Sequence, residues 1–227
     1  MQKTIWGFAD IELLPRRLFV VANKIGGQTM GAFDGDKMVA FLIAIPGIKA
    51  GGKNYMHSHM LGTLAAYRDK GLGRRLKLMQ RDDALARGIA LVEWTFDPLE
   101  LKNAFFNLER LGAVVRRYVP NQYGTTTSHL HGGLPTDRCI AEWYVGSPRV
   151  NGIIDNNRQP RPEIVARVAV PADIEEVRKS DSARARAVQT QVRAQFLEHF
   201  RNGLEVTGFE STPEAGIYLL SRLEEKA

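Results

Sequence analysis

Short apolar segments divide the chain into the strands and helices of an α/β protein. Residues 27–33 and 38–45 are apolar runs on either side of the D-G pair at 34–35, a dipeptide typical of hairpin turns. Residues 55–66 and 89–96 form two further apolar runs, and each leads directly into a segment with helical spacing. A hairpin followed by two strand–helix units predicts a mixed sheet with helices on its faces.

The first helix is predicted to begin in the G-L-G of residues 71–73. We expect it to end near Arg87, because Gly88 provides a typical C-terminal stop. Four apolar residues recur on one side and predict the buried face of this helix: Leu72, Leu76, Met79 and Ala86.

The second helix is predicted to begin in D-P-L-E. Asp97 suits the N-cap, Pro98 suits the first helical position, and Glu100 would complete a capping box. Gly112 would end the helix. Its core face would consist of Leu101, Ala104, Phe105, Leu108 and Leu111.

Two more strands are predicted after this helix, at residues 114–118 and 139–145. The segment between them, residues 124–137, is rich in Gly, Thr and His. Such a composition is typical of a surface loop.

The last third of the chain is predicted to be a separate extension. Residues 149–162 are polar and turn-rich, which predicts a linker after a main domain at residues 1–148. Residues 163–227 then show the order strand, helix, helix, strand, strand. We expect this extension to pack on the sheet of the main domain or to complete it, within one chain or in a homodimer.

The composition is that of a soluble protein with a core of ordinary size. Of 227 residues, 44% are hydrophobic and 25% are charged. No apolar run approaches the roughly 18 residues of a membrane span, and the first residues lack an apolar signal core. Cys139 is the one cysteine, which excludes an internal disulfide framework and a thiol-rich zinc site. We therefore expect a cytoplasmic protein without a membrane partner.

The formal net charge of +6 suits nucleic acid, an anionic surface or an anionic small ligand. The arginines are dispersed, however, and no basic stripe is interleaved with aromatic residues as in single-strand binders. An anionic cofactor accounts for part of the charge more simply than nucleic acid does, and the sequence disfavours a nucleic-acid partner.

The segment R-D-K-G-L-G, residues 68–73, joins a predicted strand to a predicted helix. Backbone amides at a helix N-terminus bind phosphate, and glycine lets the backbone come close to it. Arg68, Lys70 and Arg74 add positive charge around this turn. Taken alone, the turn is equally compatible with a tight strand–helix connection whose basic side chains are solvated.

The longer string L-A-A-Y-R-D-K-G-L-G-R-R-L resembles the acyl-CoA signature of the GNAT superfamily of N-acetyltransferases. Arg68, Gly71 and Gly73 occupy the three signature positions, and the resemblance extends over about residues 15–145. The strings W-T-F-D-P-L-E, N-A-F-F-N-L-E-R-L-G-A and L-P-T-D-R-C-I-A-E-W look like a poorly characterised subgroup of that superfamily. The resemblance implies a GNAT-like acyl-CoA N-acyltransferase fold over residues 1–148.

The resemblance also implies an activity. The chain would transfer an acetyl group from acetyl-CoA, or another short acyl-CoA, to a primary amine by direct attack and without a metal. The acceptor would be a small-molecule amine or an amino-acid-like compound. Backbone groups of Leu64 and Ala66, at the end of the strand, would contact the pantetheine arm. The pyrophosphate would be lined by Arg68, Asp69, Lys70, Gly71, Leu72, Gly73 and Arg74.

One departure from the family pattern concerns the second helix. Many members have a tyrosine there that protonates the leaving thiolate, whereas this chain has Leu108 at that position. Asn103 and Asn107 lie one helical turn apart and are the nearest polar residues. They would hydrogen-bond the cofactor or be ordinary surface residues. The missing tyrosine leaves a catalytically degenerate acyl-CoA-binding or regulatory protein as the alternative.

Candidates for acid–base work lie on the two central strands. His57 and His59 are two residues apart and therefore share a face, and histidine titrates near neutral pH. Glu93 lies on the other strand, where the family often has a carboxylate base. Tyr123 is a possible replacement acid. We select Glu93, His59 and Tyr123 as candidate catalytic residues; metal ligation by the histidines and a purely structural role are the alternatives.

Overall fold

The computed structural model describes residues 1–124 and 133–222, which form seven α-helices and nine strands. The predicted mixed α/β class is confirmed. Contacts divide the described chain into two compact units, one of residues 1–94 and 144–146 and the other of residues 95–124, 133–143 and 147–222. In chain order the elements are α1 Gln2–Trp6, α2 Arg16–Lys24, β1 Gln28–Asp34, β2 Lys37–Ile48, β3 Asn54–Thr63, α3 Leu72–Ala86, β4 Leu91–Phe96, α4 Leu101–Phe105, β5 Val114–Val119, β6 Arg138–Tyr144, α5 Pro148–Ile154, β7 Ala166–Pro171, α6 Ile174–Ser180, α7 Ser182–Arg201, β8 Leu204–Ser211 and β9 Ala215–Arg222.

The first unit is built on a hairpin that continues into a mixed sheet. Strands β1, β2 and β3 pair antiparallel, and β3 pairs parallel with β4. Gly35 has a φ of 57° in the turn between β1 and β2, so the predicted hairpin is confirmed. Phe41 and Ile43 of β2 pack with Ile5 and Ala22 to form a core on one face of the hairpin.

Helix α3 has the predicted ends, but its buried face was predicted only in part, since Leu76 is buried and Leu72 is half-buried. It runs from Leu72 to Ala86, and Gly88 follows it with a φ of 68°. Met79 is 54% exposed, and Ala86 is exposed as well. The buried residues are Leu76, Lys77, Gln80 and Ala84. The apolar pattern failed here because two polar side chains occupy the buried face and find partners inside the unit.

The second unit contains a five-stranded antiparallel arrangement. Strand β5 pairs with both β6 and β8, β8 pairs with β9, and β9 pairs with β7. The strands of the predicted extension therefore continue the sheet that β5 and β6 begin. The core beside them is aromatic: Phe196 stacks on Tyr118 at 5.6 Å and meets Tyr218 edge-on at 5.1 Å between ring centroids.

The second predicted helix begins later and is less regular than expected. α4 begins at Leu101, three residues after Pro98, and passes into a π-helical turn at Phe106–Arg110. The capping-box prediction is wrong, because the N-cap of α4 is Glu100 and no side chain caps the helix. Asp97 instead accepts a hydrogen bond from the Leu99 N–H at 2.9 Å, and both Asp97 and Glu100 bind Arg178 of α6 at 2.6 Å. Of the predicted core face, Ala104, Leu108 and Leu111 are buried, Leu101 is half-buried and Phe105 is 41% exposed.

The predicted linker begins with a helix. The Ser147 hydroxyl accepts a hydrogen bond from the Val150 N–H at 3.3 Å, which caps α5 at its N-terminus. Val150 and Ile153 are buried, so this part of residues 149–162 packs instead of remaining open. The division of the chain at 149–162 remains a prediction based on composition.

The predicted surface loop ends in the core. Residues 125–132 lie outside the described residues, but Thr136 and Asp137 are fully buried. Asp137 accepts hydrogen bonds from the Tyr118 hydroxyl at 2.7 Å and from Arg193 at 2.8 and 2.9 Å. None of the helices in the described parts of the chain combines the length and apolarity that a bilayer crossing needs.

Candidate functional site

The turn before α3 has the backbone geometry of an anion site. Gly71 is the N-cap, with φ 75° and ψ 3°, and no side chain caps the helix. The first intrahelical bond runs from the Arg75 N–H to the Gly71 carbonyl at 3.0 Å. The three N–H groups before it, of Leu72, Gly73 and Arg74, have no acceptor within the helix. They lie at the positive end of the helix dipole, where an anion is favoured.

The surface of this turn is open. A Cβ added to Gly71 would have no heavy atom within 4 Å, and one added to Gly73 would meet only Leu61 Cδ2 at 3.8 Å. Asp69 also has a positive φ, of 58°. Two residues with left-handed φ in one short turn expose successive N–H groups on a concave surface, which is typical of phosphate-binding turns.

The basic side chains around the turn are partly fixed. Arg68 Nε donates to the Thr63 carbonyl at 3.3 Å, which holds the exposed guanidinium beside the end of β3. Lys70 Nζ lies 5.1 Å from the centroid of the Tyr67 ring, and the Tyr67 hydroxyl donates to Asp34 Oδ2 at 2.6 Å. The turn is therefore joined to the β1–β2 hairpin.

The strand before the turn is shorter than predicted. β3 ends at Thr63, and Ala65–Tyr67 form a single 3-10 turn, so Ala66 does not lie in a strand. The Leu64 N–H donates to the Val39 carbonyl at 2.9 Å, and the Leu64 carbonyl accepts from the Tyr67 N–H at 2.8 Å. Both backbone groups of Leu64 thus have partners within the protein. The expected contact of Leu64 with the pantetheine arm stays a prediction, and it would use the second lone pair of the carbonyl oxygen.

Strands β3 and β4 are paired over a short distance only. Their parallel ladder consists of Met56 opposite Val92 and His57 opposite Glu93, while β3 continues to Thr63. The register between β2 and β3 also shifts after Ile43, which leaves an extra residue in β3 at position 59. Residues 58–63 of β3 therefore lie beyond the ladder with β4.

A histidine–glutamate cluster, defined as Lys49, Tyr55, His57, His59 and Glu93, lies on β3, β4 and the end of β2. Glu93 is 4% exposed, and both of its carboxylate oxygens lie 2.6 Å from Lys49 Nζ. Lys49 Nζ lies 4.6 Å from the Tyr55 ring centroid. The ion pair and the ring contact fix the lysine, so the carboxylate has a cation in contact with it.

The pKa of each imidazole in the cluster is lower than its ordinary value. Their ring centroids are 5.9 Å apart. Burial, followed by the positive charges of His59, Lys77 and Lys49, lowers the pKa of His57 to about 4. Burial also lowers the pKa of His59. Neither ring has a hydrogen bond to residues 1–124 or 133–222, so none of those residues uses the nitrogen lone pair of either ring.

The opposite face of β3 and β4 holds a buried lysine that the sequence analysis missed. Lys77 is 2% exposed and donates to Ser58 Oγ at 3.0 Å and to Gln80 Oε1 at 2.9 Å. Its Nζ lies 3.5 Å from the centroid of the Trp94 ring, and burial lowers its pKa well below the usual range. In the sequence, Lys77 and Gln80 are one helical turn apart, which indicates that their side chains can contact each other. That spacing does not show whether the pair lies on a buried face or on a solvated one.

This network extends from Lys77 to the surface. Gln80 Nε2 donates to Gln28 Oε1 at 2.8 Å, and Gln28 Nε2 donates to Asp83 Oδ2 at 2.6 Å. The hydrogen bonds therefore all run in one direction, from the buried ammonium of Lys77 to the half-exposed carboxylate of Asp83. The network ties α3 to β1 and β3, and it therefore fixes the helix whose N-terminus forms the anion site.

The remaining candidates belong to the second unit. The Tyr123 hydroxyl lies 2.8 Å from Thr95 Oγ1, and the side chain is 48% exposed. Asn103 is exposed, whereas Asn107 is 4% exposed and is therefore not an ordinary surface residue. The π-helical turn changes the spacing between these residues and moves Asn107 inward. Leu108 is fully buried.

Two other chemistries find little support in the described parts of the chain. No group of three or more His, Cys, Asp and Glu side chains there is arranged to hold a metal ion. Cys139 is fully buried, and burial raises the pKa of its thiol well above the usual value. Such a thiol is a small core residue and not an activated nucleophile.

No protein-family model matches the chain, and no curated protein matches it. Naa50 of Arabidopsis thaliana, solved with the bisubstrate analogue CoA-Ac-MVNAL, is similar to 57% of this chain over 80% of its own, with 19% identity and a TM-score of 0.47. A GNAT family acetyltransferase from Elizabethkingia anophelis with acetyl-CoA bound covers 63% of this chain and 90% of its own, with 11% identity and a TM-score of 0.47. The match to aminoglycoside 6'-acetyltransferase type Ii covers 58% of this chain and 69% of that enzyme, with 21% identity and a TM-score of 0.40. Solved GNAT acetyltransferases are thus similar to part of this chain.

Proposed function

We propose that this chain is an acyl-CoA-dependent N-acyltransferase that transfers an acetyl or similar short acyl group to a primary amine. The observation that supports it most is the turn at Gly71, where a left-handed N-cap leaves three N–H groups free above an open surface. An N-terminus of this form, flanked by basic side chains, suits the pyrophosphate of coenzyme A.

The residues around the turn would bind and orient the co-substrate. The N–H groups of Leu72, Gly73 and Arg74 would receive the pyrophosphate, with the guanidinium of Arg68 and the ammonium of Lys70 beside it. The backbone around Ala66 would face the pantetheine arm, and Asn103 and Asn107 remain proposed contacts. When bound, acyl-CoA supplies an electrophilic thioester carbonyl and a thiolate leaving group.

The attacking amine must lose a proton, and His59 is the group we propose to accept it. Burial lowers its pKa, which favours the neutral imidazole, and the ring has no hydrogen bond to another described residue. Glu93 is the second candidate, but its two oxygens already contact Lys49. Protonation of Glu93 would weaken that ion pair, which makes His59 the better acceptor.

The proposal is tested by measuring thiol release from acetyl-CoA with a panel of primary amines. We expect His59→Gln to lower kcat/KM by about 10²-fold or more, and Glu93→Gln to lower it by less than about tenfold. His199→Gln, on α7, is the control and should leave the rate unchanged. If Glu93→Gln lowers kcat/KM more than His59→Gln does, Glu93 is the base. If neither variant lowers kcat/KM, the histidine–glutamate cluster has no role in catalysis.

A second candidate function is favoured by Leu108, which is fully buried where the family often has its acid. The chain would then bind acyl-CoA without transferring the acyl group. Tyr123→Phe addresses this candidate directly. If Tyr123 supplies the missing proton, the variant loses rate at unchanged acetyl-CoA affinity. If wild-type protein binds acetyl-CoA and no amine in the panel releases thiol, the binding function is the correct one.

A further inference from the structure

The second unit contains a cavity of about 250 Å³ among residues that have no role in the proposed transfer reaction. Its lining is rich in charge, with four arginines and two glutamates. These are Arg149, Arg158, Arg161, Arg222, Glu109 and Glu205. The arginines exceed the glutamates by two, so the cavity has an excess of positive charge.

The ion pairs around the cavity leave two of its arginines without a carboxylate. Glu109 is shared by Arg158 at 2.8 Å and Arg161 at 2.9 Å. Glu205 is bound at 2.6 Å by Arg116, which lies outside the lining. Within the described residues, Arg149 and Arg222 therefore have no carboxylate in contact.

Arg149 is held in place by backbone carbonyls. Its Nε donates to the Gly112 carbonyl at 3.1 Å, and its Nη2 donates to the carbonyls of Thr207 at 2.5 Å and Leu108 at 3.5 Å. Burial lowers the pKa of Arg149, while the charges of Glu109 and Glu205 act in the opposite direction. A guanidinium fixed by carbonyl dipoles, whose Nη1 group has no hydrogen bond to another described residue, is preorganised for an anion.

The backbone around the cavity is irregular at two independent places. The π-helical turn at Phe106–Arg110 provides the Leu108 carbonyl and turns Glu109 inward. The ladder between β8 and β9 shifts between Val206 and Gly208, and the extra residue Thr207 directs its carbonyl to Arg149. π-Helical turns are frequent at functional sites, and β-bulges are over-represented at sheet edges and next to active sites, where they re-aim side chains.

Gly208 completes this arrangement. A Cβ added there would lie 3.2 Å from Arg161 Nη1 and 3.3 Å from Glu109 Oε1. Because those contacts are tighter than ordinary packing, glycine gives the Glu109–Arg161 pair room to sit directly over β8.

We propose that this cavity is a binding site for a small anionic molecule, whose phosphate or carboxylate group is received by Arg149 and Arg222. The charge excess, the fixed guanidinium and the two backbone irregularities all favour that chemistry. The volume suits a small molecule and not a macromolecule. Guanidinium groups bind phosphate and carboxylate oxygens in the same bidentate way, so the two classes are separated by experiment.

The test is calorimetric titration with inorganic phosphate and, separately, with succinate, at constant ionic strength. Gly71→Trp protein is used throughout, so that the turn before α3 does not contribute phosphate binding. We expect saturable binding of at least one probe. Arg222→Gln should weaken it by about tenfold, the loss of one charge-assisted hydrogen bond, while the exposed Arg167→Gln serves as the charge-matched control and leaves it unchanged.

Each outcome decides a point. Binding of phosphate alone assigns a phosphate-bearing ligand, and binding of succinate alone assigns a carboxylate. Arg149→Lys retains the charge but loses the planar fork, and it should weaken the same probe. If neither probe binds saturably, or if Arg222→Gln and Arg167→Gln bind equally, the proposal is overturned. Because no acyl-CoA is used, that failure would leave the proposed transferase function untouched.

Discussion

Helices α3 and α4 each follow a central strand, yet the sequence predicted the start of α3 and misplaced the start of α4. α3 begins directly after Gly71, whose positive φ is a property of the backbone itself. α4 was expected to begin at Pro98 on the strength of Asp97 and Glu100, but both carboxylates bind Arg178, which is about 80 residues away in the chain. The conformation of a glycine is a local signal. The two carboxylates of the second case have a distant partner as well: Asp97 still accepts a hydrogen bond from the Leu99 N–H, but Glu100 binds Arg178 and the helix begins only after it.

The largest expected effect concerns Arg178. We expect Arg178→Met to lower the free energy of unfolding by about 3–5 kcal/mol, because it leaves Asp97 buried without its cation. Arg184→Met removes an ion pair whose side chains are both 54% exposed, and it should cost less than about 1 kcal/mol. Urea unfolding of the two variants measures the difference. If both variants lose the same free energy of unfolding, the ion pairs of Arg178 with Asp97 and Glu100 do not stabilise the turn before α4.

Lys77 extends the comparison within α3. The ends of that helix were predicted from the sequence, whereas the burial of Lys77 and Gln80 was not. We expect Lys77→Ala to cost about 2–4 kcal/mol, since it opens a cavity and leaves Ser58 and Gln80 without their donor. Lys179→Ala, which breaks an exposed pair on α6, should cost well under 1 kcal/mol. Chemical denaturation again provides the measurement, and a small loss for Lys77→Ala would show that α3 is held by its apolar contacts alone.

His57 gives a pH-dependent effect of intermediate size. Its pKa is lowered from 6.5 to about 4, so between those values the unfolded chain binds the proton first. The free energy of unfolding should therefore fall by about 1–2 kcal/mol as the pH drops from 6.5 to 4, a figure reduced for the partial exposure of the ring. In His57→Gln protein this part of the pH dependence should vanish. A wild-type stability that stays level across that range would contradict the burial of a neutral imidazole.

The smallest expected effect compares two glycines with the same conformation. Gly71 and Gly35 both have positive φ, at 75° and 57°, and neither has a heavy atom near the position of a Cβ. Gly71→Ala and Gly35→Ala should each lower the free energy of unfolding by about 1 kcal/mol, the cost of left-handed φ for alanine. Thermal unfolding tests this, and a loss several times larger for Gly71→Ala would indicate that the turn has a structural role beyond its conformation.

The features that the sequence predicted are those encoded by neighbouring residues. The hairpin follows from the D-G pair at 34–35, and α3 follows from its glycines. The cluster around His59 was predicted in part, since alternation along β3 placed His57 and His59 on one face. Lys49 was missed, because its contact with Glu93 depends on the pairing of strands and not on spacing within one of them.

The polar residues that the chain buries could not be predicted in the same way. Lys77, Arg149 and Arg178 look like ordinary surface residues in the sequence. Lys77 and Arg178 are buried and Arg149 is half-buried, and each binds groups that are distant in the chain. Apolar periodicity assigns such residues to the solvated face. For this chain, it therefore concealed both the network behind β3 and the arginine-lined cavity.

The central claim is that the turn at Gly71 binds the pyrophosphate of acyl-CoA, and calorimetric titration of acetyl-CoA tests it most directly. Wild-type protein should bind saturably, and Gly35→Trp, which puts a bulky residue in the same conformation elsewhere, should bind within about twofold of it. Gly71→Trp should bind about 100-fold more weakly or not at all, a loss of roughly 2.7 kcal/mol or more. If wild-type protein does not bind acetyl-CoA, or if the two tryptophan variants bind it equally, the claim is contradicted.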